Sequence, residues 1–146
     1  MQNRFEYKLQ KPDKKDFYKL FRTTGWYESY KLTEDKLELA LNNSWFMVSV
    51  YYKEQLVGFG RIISDKSLHA LILDVIVLPD FQNNGIGTKI MKILTGNCLS
   101  EGIIDIQLFC AEGKTDFYEK LGYEKRNNNA PGMQYKRKTG EMKWKK

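Results

Sequence analysis

The segment 82–88 has the clearest chemical potential in this chain. It reads Gln-Asn-Asn-Gly-Ile-Gly-Thr, follows the apolar run Leu71–Val77 and precedes an amphipathic stretch. A glycine-rich turn at a helix N-terminus presents several backbone N–H groups to an anion, and the helix dipole favours negative charge there. Gly85 and Gly87 allow the backbone to approach a ligand closely. The pattern therefore predicts a phosphate or diphosphate site, although a Gly-x-Gly alone is also typical of an ordinary turn.

Two other phosphate-binding motifs are excluded by single positions. The dinucleotide-binding pattern needs a third glycine three residues after Gly87, and that position is Ile90. The triplet Gly113-Lys114-Thr115 is similar to the end of a P-loop, but the position of the earlier glycine is Leu108. A diphosphate held by segment 82–88 therefore belongs to another class of site.

Two segments together resemble the GNAT superfamily of N-acetyltransferases, which bind acetyl-CoA. Residues 74–87 (Asp-Val-Ile-Val-Leu-Pro-Asp-Phe-Gln-Asn-Asn-Gly-Ile-Gly) are similar to the family's fourth strand and its Gln/Arg-x-x-Gly-x-Gly/Ala loop. Residues 117–123 (Phe-Tyr-Glu-Lys-Leu-Gly-Tyr) are similar to its Phe-Tyr-x-x-Leu-Gly-Phe element. The blocks Gly58-Phe59-Gly60-Arg61, Gly113-Lys114 and Pro131-Gly132-Met133 are similar to a bacterial branch with small-molecule-type sites.

The resemblance implies that acetyl-CoA is the co-substrate. No metal is expected, because Cys98, Cys110 and His69 are too few and too widely spaced for a tetrahedral zinc site. The resemblance further implies pantetheine contacts from the backbone of the fourth strand, and a diphosphate on the amides of the loop. The implied cofactor-binding residues are Val75, Ile76, Val77, Gln82, Asn83, Asn84, Gly85, Ile86, Gly87, Thr88, Lys114 and Phe117. The chain departs from the family pattern in two places. Asn83 and Asn84 replace the usual basic residue and glycine, and the asparagine after strand five is absent, so either Lys114 meets a CoA phosphate instead or it is a solvated lysine.

The resemblance also implies direct transfer to a primary amine, without an acyl-enzyme. A Ser-His-Asp or Cys-His arrangement would have to use His69, the chain's single histidine. Tyr118 is implied as the acid that protonates the departing thiolate; the alternative is a core aromatic residue. Asp74 is the first candidate for the base, because a carboxylate in an apolar strand is costly without a task or partner. The alternative for Asp74 is a salt bridge to Arg61, and Glu28 and Asp65 are weaker candidates for the base.

The acceptor side is expected at the aromatic link 26–30, Trp-Tyr-Glu-Ser-Tyr, which in this fold lies over the acceptor groove. Aromatic rings together with a carboxylate can receive a cationic amine by stacking and by charge. Trp26, Tyr27 and Glu28, with Arg61, are therefore the candidate substrate-binding residues. The alternative is that Trp26 only caps the core.

The periodicity of the chain predicts a single α/β domain over residues 1–138, with a basic tail at 139–146. We expect a central mixed, twisted sheet flanked by about four helices, in the order β-α-α-β-β-β-α-β-α-β-β, with one parallel crossover. The expected strands are Phe5–Leu9, Trp45–Tyr52, Leu56–Ile63, Leu68–Val77, Ile103–Cys110, Tyr123–Arg126 and Met133–Lys138. Helices are expected from Pro12 to Thr23, from Thr33 to Asn42, from Ile86 to Cys98 and from Lys114 to Leu121.

The 146 residues have a formal charge of +6, which raises the question of nucleic-acid binding. Six of the 24 Lys and Arg residues lie in 136–146, which leaves 18 basic against 17 acidic residues in the rest. The body is therefore close to neutral, and we expect no nucleic-acid partner. The absence of a long apolar run or a leader predicts a cytoplasmic protein with no membrane contact. Cys98 and Cys110 are expected in the core, and a homodimer is possible because dimers are frequent in the family.

These observations favour an acetyl-CoA-dependent N-acetyltransferase of a small primary amine. Two alternatives stay open at this point. One is a transferase for a protein or peptide amine, for which a wide and open groove would be evidence. The other is a non-catalytic module that binds acyl-CoA, which the missing asparagine motivates.

Overall fold

A computed structural model describes residues 4–138 and gives that part of the chain five β-strands and four α-helices. The strands are β1 (Glu6–Lys8), β2 (Phe46–Tyr52), β3 (Gln55–Ser64), β4 (His69–Val77) and β5 (Asp105–Leu108). The helices are α1 (Lys14–Arg22), α2 (Glu34–Asn42), α3 (Ile86–Ser100) and α4 (Thr115–Glu119), and a 3-10 turn spans Pro79–Phe81. The basic tail expected at 139–146 lies outside the described residues.

The strands form one mixed sheet in the order β1-β2-β3-β4-β5. The first four strands are antiparallel neighbours, and β5 runs parallel to β4 after the crossover through α3. The α/β class, the antiparallel meander, the single parallel crossover and the number of helices are therefore confirmed.

The first two helices begin at polar side chains that the sequence places before them. The carboxylate of Asp13 accepts hydrogen bonds from the backbone N–H groups of Lys15 and Asp16, and the hydroxyl of Thr33 accepts one from Lys36. Side-chain oxygens at this position satisfy N–H groups that have no partner within the helix. Both helices are thereby fixed at their N-termini, and they lie together on one face of the sheet.

The core has two parts, one on each face of the sheet. Helix α3 covers one face, and its buried side chains, including Ile90 and Leu94, pack on Val48, Val50 and Ile62. Helices α1 and α2 cover part of the other face, where Phe17, Leu20, Phe21, Leu37 and Leu41 pack on Leu56, Phe59 and Ile76. The sheet is thus sandwiched near β3 and the C-terminal half of β4, which is where the loop 82–88 begins.

The C-terminal third departs from the expectation in four respects. No strand is present at 123–126 or at 133–138 within the described part of the chain; this segment turns at Asn127–Ala130 and is mostly exposed, so it lacks the partner that a strand needs. Strand β5 is shorter than expected, because its ladder with β4 ends at Leu108. Cys98 is buried as predicted, but the prediction for Cys110 is wrong, since it lies past the end of β5 and is exposed. Helix α4 is confined to Thr115–Glu119.

No helix in residues 4–138 combines the length and the apolar character that a membrane crossing would require.

Candidate active site

The loop 82–88 forms the N-terminus of α3 and presents a run of unpartnered backbone donors. Asn83 and Gly85 have positive φ angles of 66° and 78°, which turns the chain sharply into the helix. Within residues 4–138 the backbone N–H groups of residues 83–88 find no acceptor; the first N–H of this region to do so is that of Lys89, which donates to the carbonyl of Gly85. Consecutive N–H groups at the start of a 15-residue helix are able to bind an anion, and a diphosphate site here stays a prediction.

The amide side chains of the loop hold its shape. Gln82 Nε2 donates to the carbonyl of Val77 at 3.1 Å, and Asn84 Nδ2 donates to the carbonyls of Phe81 and Gln82 at 3.0 and 3.2 Å. The Gln82 and Asn84 side chains therefore brace the loop, and the backbone of residues 83–88 is the part left to face a ligand.

A basic residue that the sequence analysis missed lies beside this loop. Arg4 Nη2 donates to Asn84 Oδ1 at 3.3 Å, and its guanidinium lies over the ring of Phe5 at 5.0 Å. The guanidinium brings positive charge to a loop that lacks the basic residue of the family pattern. The contact joins positions 80 residues apart, so no local pattern in the sequence could have revealed it.

Strands β4 and β5 separate beside the loop. Their pairing ends at Ile72 and Leu108, whereas β4 continues to Val77. Leu73, Ile76 and Val77 remain paired to β3 on one side, and residues 73–77 have no strand on the other side within the described residues. A strand edge of this kind offers backbone N–H and C=O groups to an extended ligand. Of the predicted cofactor residues, Val75, Ile76 and Val77 lie at this opening.

Helix α4 brings a third group of predicted residues to the same place. A Cβ on Gly87 would lie 3.4 Å from the ring of Phe117 and 3.9 Å from Val77 Cγ2, so the loop, the end of β4 and α4 meet here. The ring of Phe117 lies 4.9 Å from that of Tyr118. The structure therefore places Val77, Gly87, Phe117 and Tyr118 together, although they come from three segments of the sequence.

Tyr118 lines an open cavity of about 960 Å³ between β5, α4 and residues 121–127. Its side chain is half-buried, and its hydroxyl has no hydrogen-bond partner among residues 4–138. Burial raises the pKa of the Tyr118 phenol above its ordinary value, and the neighbouring Cys110 and Tyr123 add to the shift. The phenol is therefore a protonated donor at neutral pH, with no internal acceptor to occupy it.

Lys114 occupies the N-cap position of α4 and is exposed. Its ammonium group makes no ion pair or hydrogen bond with any residue in the described range. A role toward a CoA phosphate stays a prediction.

Asp74 and Arg61, predicted respectively as base and substrate contact, form an ion pair with each other. Arg61 Nε donates to Asp74 Oδ2 at 2.6 Å, and the side chains are 11% and 17% exposed. Of the two interpretations of Asp74, the salt bridge is therefore present, and a base function stays a prediction. Arg61 points to Asp74 and to the end of α2, so a direct substrate contact also stays a prediction.

The aromatic link 26–30 lies beside the α1 side of the core. The ring of Tyr27 stacks on Phe21 at 6.3 Å, and Trp26 meets the edge of Phe21 at 5.8 Å. Trp26 and Tyr27 remain exposed, and the carboxylate of Glu28 forms no ion pair within residues 4–138. No hydrogen bond, ion pair or ring contact of Trp26, Tyr27 or Glu28 within that range reaches Asp74 or Tyr118. Among the predicted substrate-binding residues, only Arg61 contacts a predicted catalytic residue within residues 4–138, through its ion pair with Asp74.

Comparisons with known proteins agree with this geometry. The model of the acetyltransferase (GNAT) family matches residues 9–123. A protein of Gracilaria tenuistipitata var. liui named as the uncharacterized N-acetyltransferase ycf52 is 33% identical over 122 residues, which cover 81% of this chain and 65% of that protein. A Glycine max protein named histone acetyltransferase TAP1 is 31% identical over 109 residues, covering 67% and 47%. The chain thus spans less than two thirds of the length of these relatives.

A solved structure gives the same result for the fold. Protein SA2161 of Staphylococcus aureus superimposes with a TM-score of 0.81 at 24% identity, over 91% of this chain and 99% of that one. At this identity the likeness concerns the fold alone. With the family model matching most of the chain, and with a relative above 30% identity over 81% of it, the chain belongs to the GNAT family of acetyltransferases.

Proposed function

We propose that this chain is an acetyl-CoA-dependent N-acetyltransferase that transfers acetyl directly to a primary amine of a small molecule. The observation that carries the proposal is that two features lie on elements in contact with each other, since a Cβ on Gly87 in the loop would lie 3.4 Å from the ring of Phe117 in α4. One is the run of unpartnered N–H groups at residues 83–88, and the other is the half-buried Tyr118 hydroxyl. The first fits the diphosphate of an acyl-CoA, and the second fits its sulfur end.

The site fits acetyl-CoA on three independent observations. A Cβ on Gly85 would meet no atom within 4 Å, so no side chain covers the loop at this residue. The edge of β4 at residues 73–77 can accept and donate hydrogen bonds to the amides of pantetheine. The guanidinium of Arg4 beside the loop supplies positive charge for a phosphate.

The transfer that follows needs no covalent enzyme intermediate. The amine nitrogen attacks the thioester carbonyl carbon, the C–N bond forms, and the C–S bond breaks. The nitrogen gives up one proton and the departing thiolate takes one. Tyr118 is the proposed proton donor to the thiolate, because its phenol stays protonated and its oxygen has no competing partner within the described residues.

The acceptor is proposed to be a cationic amine before it loses its proton. Tyr27 and Trp26 offer exposed aromatic faces, and Glu28 adds an unpaired carboxylate beside them within residues 4–138. Aromatic faces together with a carboxylate attract an ammonium group by cation–π interaction and charge. The Glycine max relative named as a histone acetyltransferase favours a protein lysine as the second candidate acceptor.

The first experiment is a calorimetric titration with acetyl-CoA, with CoA and ATP as the comparison ligands. Micromolar affinity for acetyl-CoA together with weak ATP binding is expected, because ATP lacks the pantetheine that β4 would bind. The absence of acetyl-CoA binding would contradict the proposal and leave segment 82–88 as a structural turn.

The second experiment measures CoA release with a panel of small amines and, in parallel, with lysine-containing peptides and free peptide N-termini. Turnover of small amines with little turnover of peptides is expected. Preferential turnover of peptides would replace the small-molecule acceptor with a protein acceptor. Tight acetyl-CoA binding with no turnover of either set would identify a non-catalytic acyl-CoA-binding module.

A further inference from the structure

Strand β4 contains a bulge at the point where it leaves β5. Leu73 pairs with Arg61 and Ile76 pairs with Phe59, so Asp74 and Val75 stand opposite the single residue Gly60. Asp74 has a φ of 54°, in the left-handed region that few residues other than glycine adopt. A bulge of this kind is a local irregularity that needs surrounding contacts to persist.

The bulge changes which face of the sheet the strand buries. Ile72 packs in the α3 part of the core, whereas Ile76 packs with α1 and α2 on the opposite face. In a regular strand two residues four apart lie on the same face. The bulge therefore shifts the pattern by one residue just before the segment that borders the opening between β4 and β5.

The Arg61–Asp74 ion pair is the contact that holds the bulged residue. Arg61 Nε donates to Asp74 Oδ2, and Arg61 Nη1 donates to Ser44 Oγ at 3.1 Å and to the carbonyl of Ala40 at 3.4 Å. Ser44 Oγ in turn donates to the carbonyl of Ala40 at 3.0 Å. One guanidinium thus joins the bulge of β4 to the C-terminal turn of α2, and its planar fork suits two fixed partners.

We propose that Arg61 and Asp74 are positioning residues for acetyl transfer, which fix the unpaired edge of β4 by tying its bulge to the end of α2. Asp74 then acts through the backbone of residues 75–77, and not as the base. The link also joins the helices beside the aromatic link 26–30 to the strand that borders the acyl-CoA site. The expected effect of this link on kinetics rests on the proposed function, whereas its expected effect on amide hydrogen exchange does not.

Amide hydrogen exchange of the protein without ligand tests the link directly. The variant Asp74→Asn keeps a residue that tolerates the left-handed region and removes the charge. We expect at least 10-fold faster exchange in two separate segments, 74–78 and 40–45, because the Asp74 carboxylate fixes the guanidinium that also bonds to Ser44 and Ala40. Exchange that stays unchanged in either segment would overturn the proposal. Asp35→Asn is the matched control, since it breaks a 2.6 Å ion pair with Lys14 on the surface of α1 and α2 and should leave both segments unchanged.

The variant Arg61→Lys separates the two halves of the link and remains informative if Asp74→Asn folds poorly. An ammonium group can stay beside Asp74, but it lacks the fork that also reaches Ser44 and Ala40. Faster exchange is therefore expected at 40–45, with residues 74–78 close to wild type. Equal loss of amide protection in both segments, or no loss in either segment, would contradict the inference that Nε holds the bulge and Nη1 holds the end of α2.

Kinetics distinguish a positioning residue from a base. Asp74→Asn and Arg61→Met should each weaken acetyl-CoA binding about 5- to 10-fold, and the double variant should be no worse than the poorer single variant, because both remove one contact. The acidic limb of the profile of kcat/KM against pH should persist in Asp74→Asn. Loss of that limb would assign Asp74 as the base. If wild-type protein fails to bind acetyl-CoA, the proposed function fails, while the exchange experiment still decides the link.

Discussion

A Cβ placed on Gly60 would lie 2.7 Å from Cγ2 of Ile90, and it would lie 2.9 Å from Cδ1 of Leu94. Helix α3 therefore rests on β3 at a position where no side chain fits between them. Gly58 repeats the contact one step along β3, with Cγ2 of Ile86 at 3.1 Å. Because Ile86 is the first residue of α3, these two glycines set where the helix N-terminus and its N–H groups lie relative to the sheet.

The substitution Gly60→Ala is expected to destabilise the protein by about 1–3 kcal/mol, the usual cost of forcing a methyl group into a packed core. It should also weaken acetyl-CoA binding, because α3 must move away from β3. Urea unfolding and calorimetric titration measure the two effects. Gly58→Ala is the graded comparison, with a smaller loss expected at its longer contact distance. A loss from Gly58→Ala as large as that from Gly60→Ala would contradict this account of the packing.

Most of the fold was predictable from local sequence patterns, because helices and paired strands each have a characteristic spacing of apolar residues. The helix starts at Asp13 and Thr33 were predictable from their polar side chains, and the glycine segment was predictable as the turn into α3. The structure of the segment beyond Tyr123 was not predictable in this way. The alternation at 133–138 has a strand period, but a strand forms only with a partner, and β5 offers none there within the described residues. The exposure of Cys110 has the same origin, since the ladder that would have buried it ends at Leu108.

The features of the site that could not be predicted from the sequence are long-range contacts and unusual backbone conformations. The contact of Arg4 with Asn84 spans 80 positions, and nothing near either residue in the sequence indicates the other. Asp74 was recognisable as an unusual carboxylate in an apolar strand, and Arg61 as a candidate partner. The positive φ of Asp74 and the link of Arg61 to α2 arise only when three segments come together in the fold. Neither could therefore be predicted from the sequence.

The substitution Gly85→Ala tests the anion site by conformation. At a φ of 78° an alanine adds strain of about 1–2 kcal/mol, which disfavours the turn that presents the N–H groups of residues 83–88. We expect a Kd for acetyl-CoA at least 10-fold higher by calorimetry, and a larger rise for Gly85→Asp, which also adds a negative charge. Gly96→Ala is the matched control within α3, where a Cβ meets no atom within 4 Å. It should stabilise the helix by about 0.5–1 kcal/mol and leave the Kd unchanged. Equal affinities in the two alanine variants would mean that the loop does not bind the diphosphate.

Phenylalanine variants of two tyrosines distinguish an effect on catalysis from an effect on stability. Tyr118→Phe removes a hydroxyl that has no partner in residues 4–138, so the free energy of unfolding should change by less than about 0.5 kcal/mol. Its kcat should fall by about 100-fold or more, with little change in acetyl-CoA affinity. Tyr123→Phe removes a hydroxyl that lies 2.6 Å from Thr95 Oγ1, and it should cost about 0.5–1.5 kcal/mol of stability while kcat changes little. Similar changes in both variants would reduce Tyr118 to a packing residue.

The raised pKa of Tyr118 predicts where activity is lost on the alkaline side. Burial is its main cause, with Cys110 and Tyr123 as lesser ones, and it lies above the ordinary value of 10.0. An acid must carry its proton, so activity falls as pH rises through this pKa and not before. Any loss of kcat that is due to Tyr118 should therefore have its midpoint above pH 10. A decline centred below pH 9 that disappears in Tyr118→Phe would contradict the buried phenol.

The free energy of unfolding should also fall at alkaline pH. The pKa values of Tyr7, Tyr51 and Tyr123 are also raised, mainly by burial. Between the unfolded value near 10.0 and the higher folded values, the unfolded chain binds fewer protons, so the free energy of unfolding falls as pH rises. Urea unfolding from pH 8 to 11 should show a constant stability up to about pH 9.5 and a decline above it. The decline should be shallower in Tyr118→Phe, which has one titrating phenol fewer, and an identical slope would mean that Tyr118 is solvated in the folded protein.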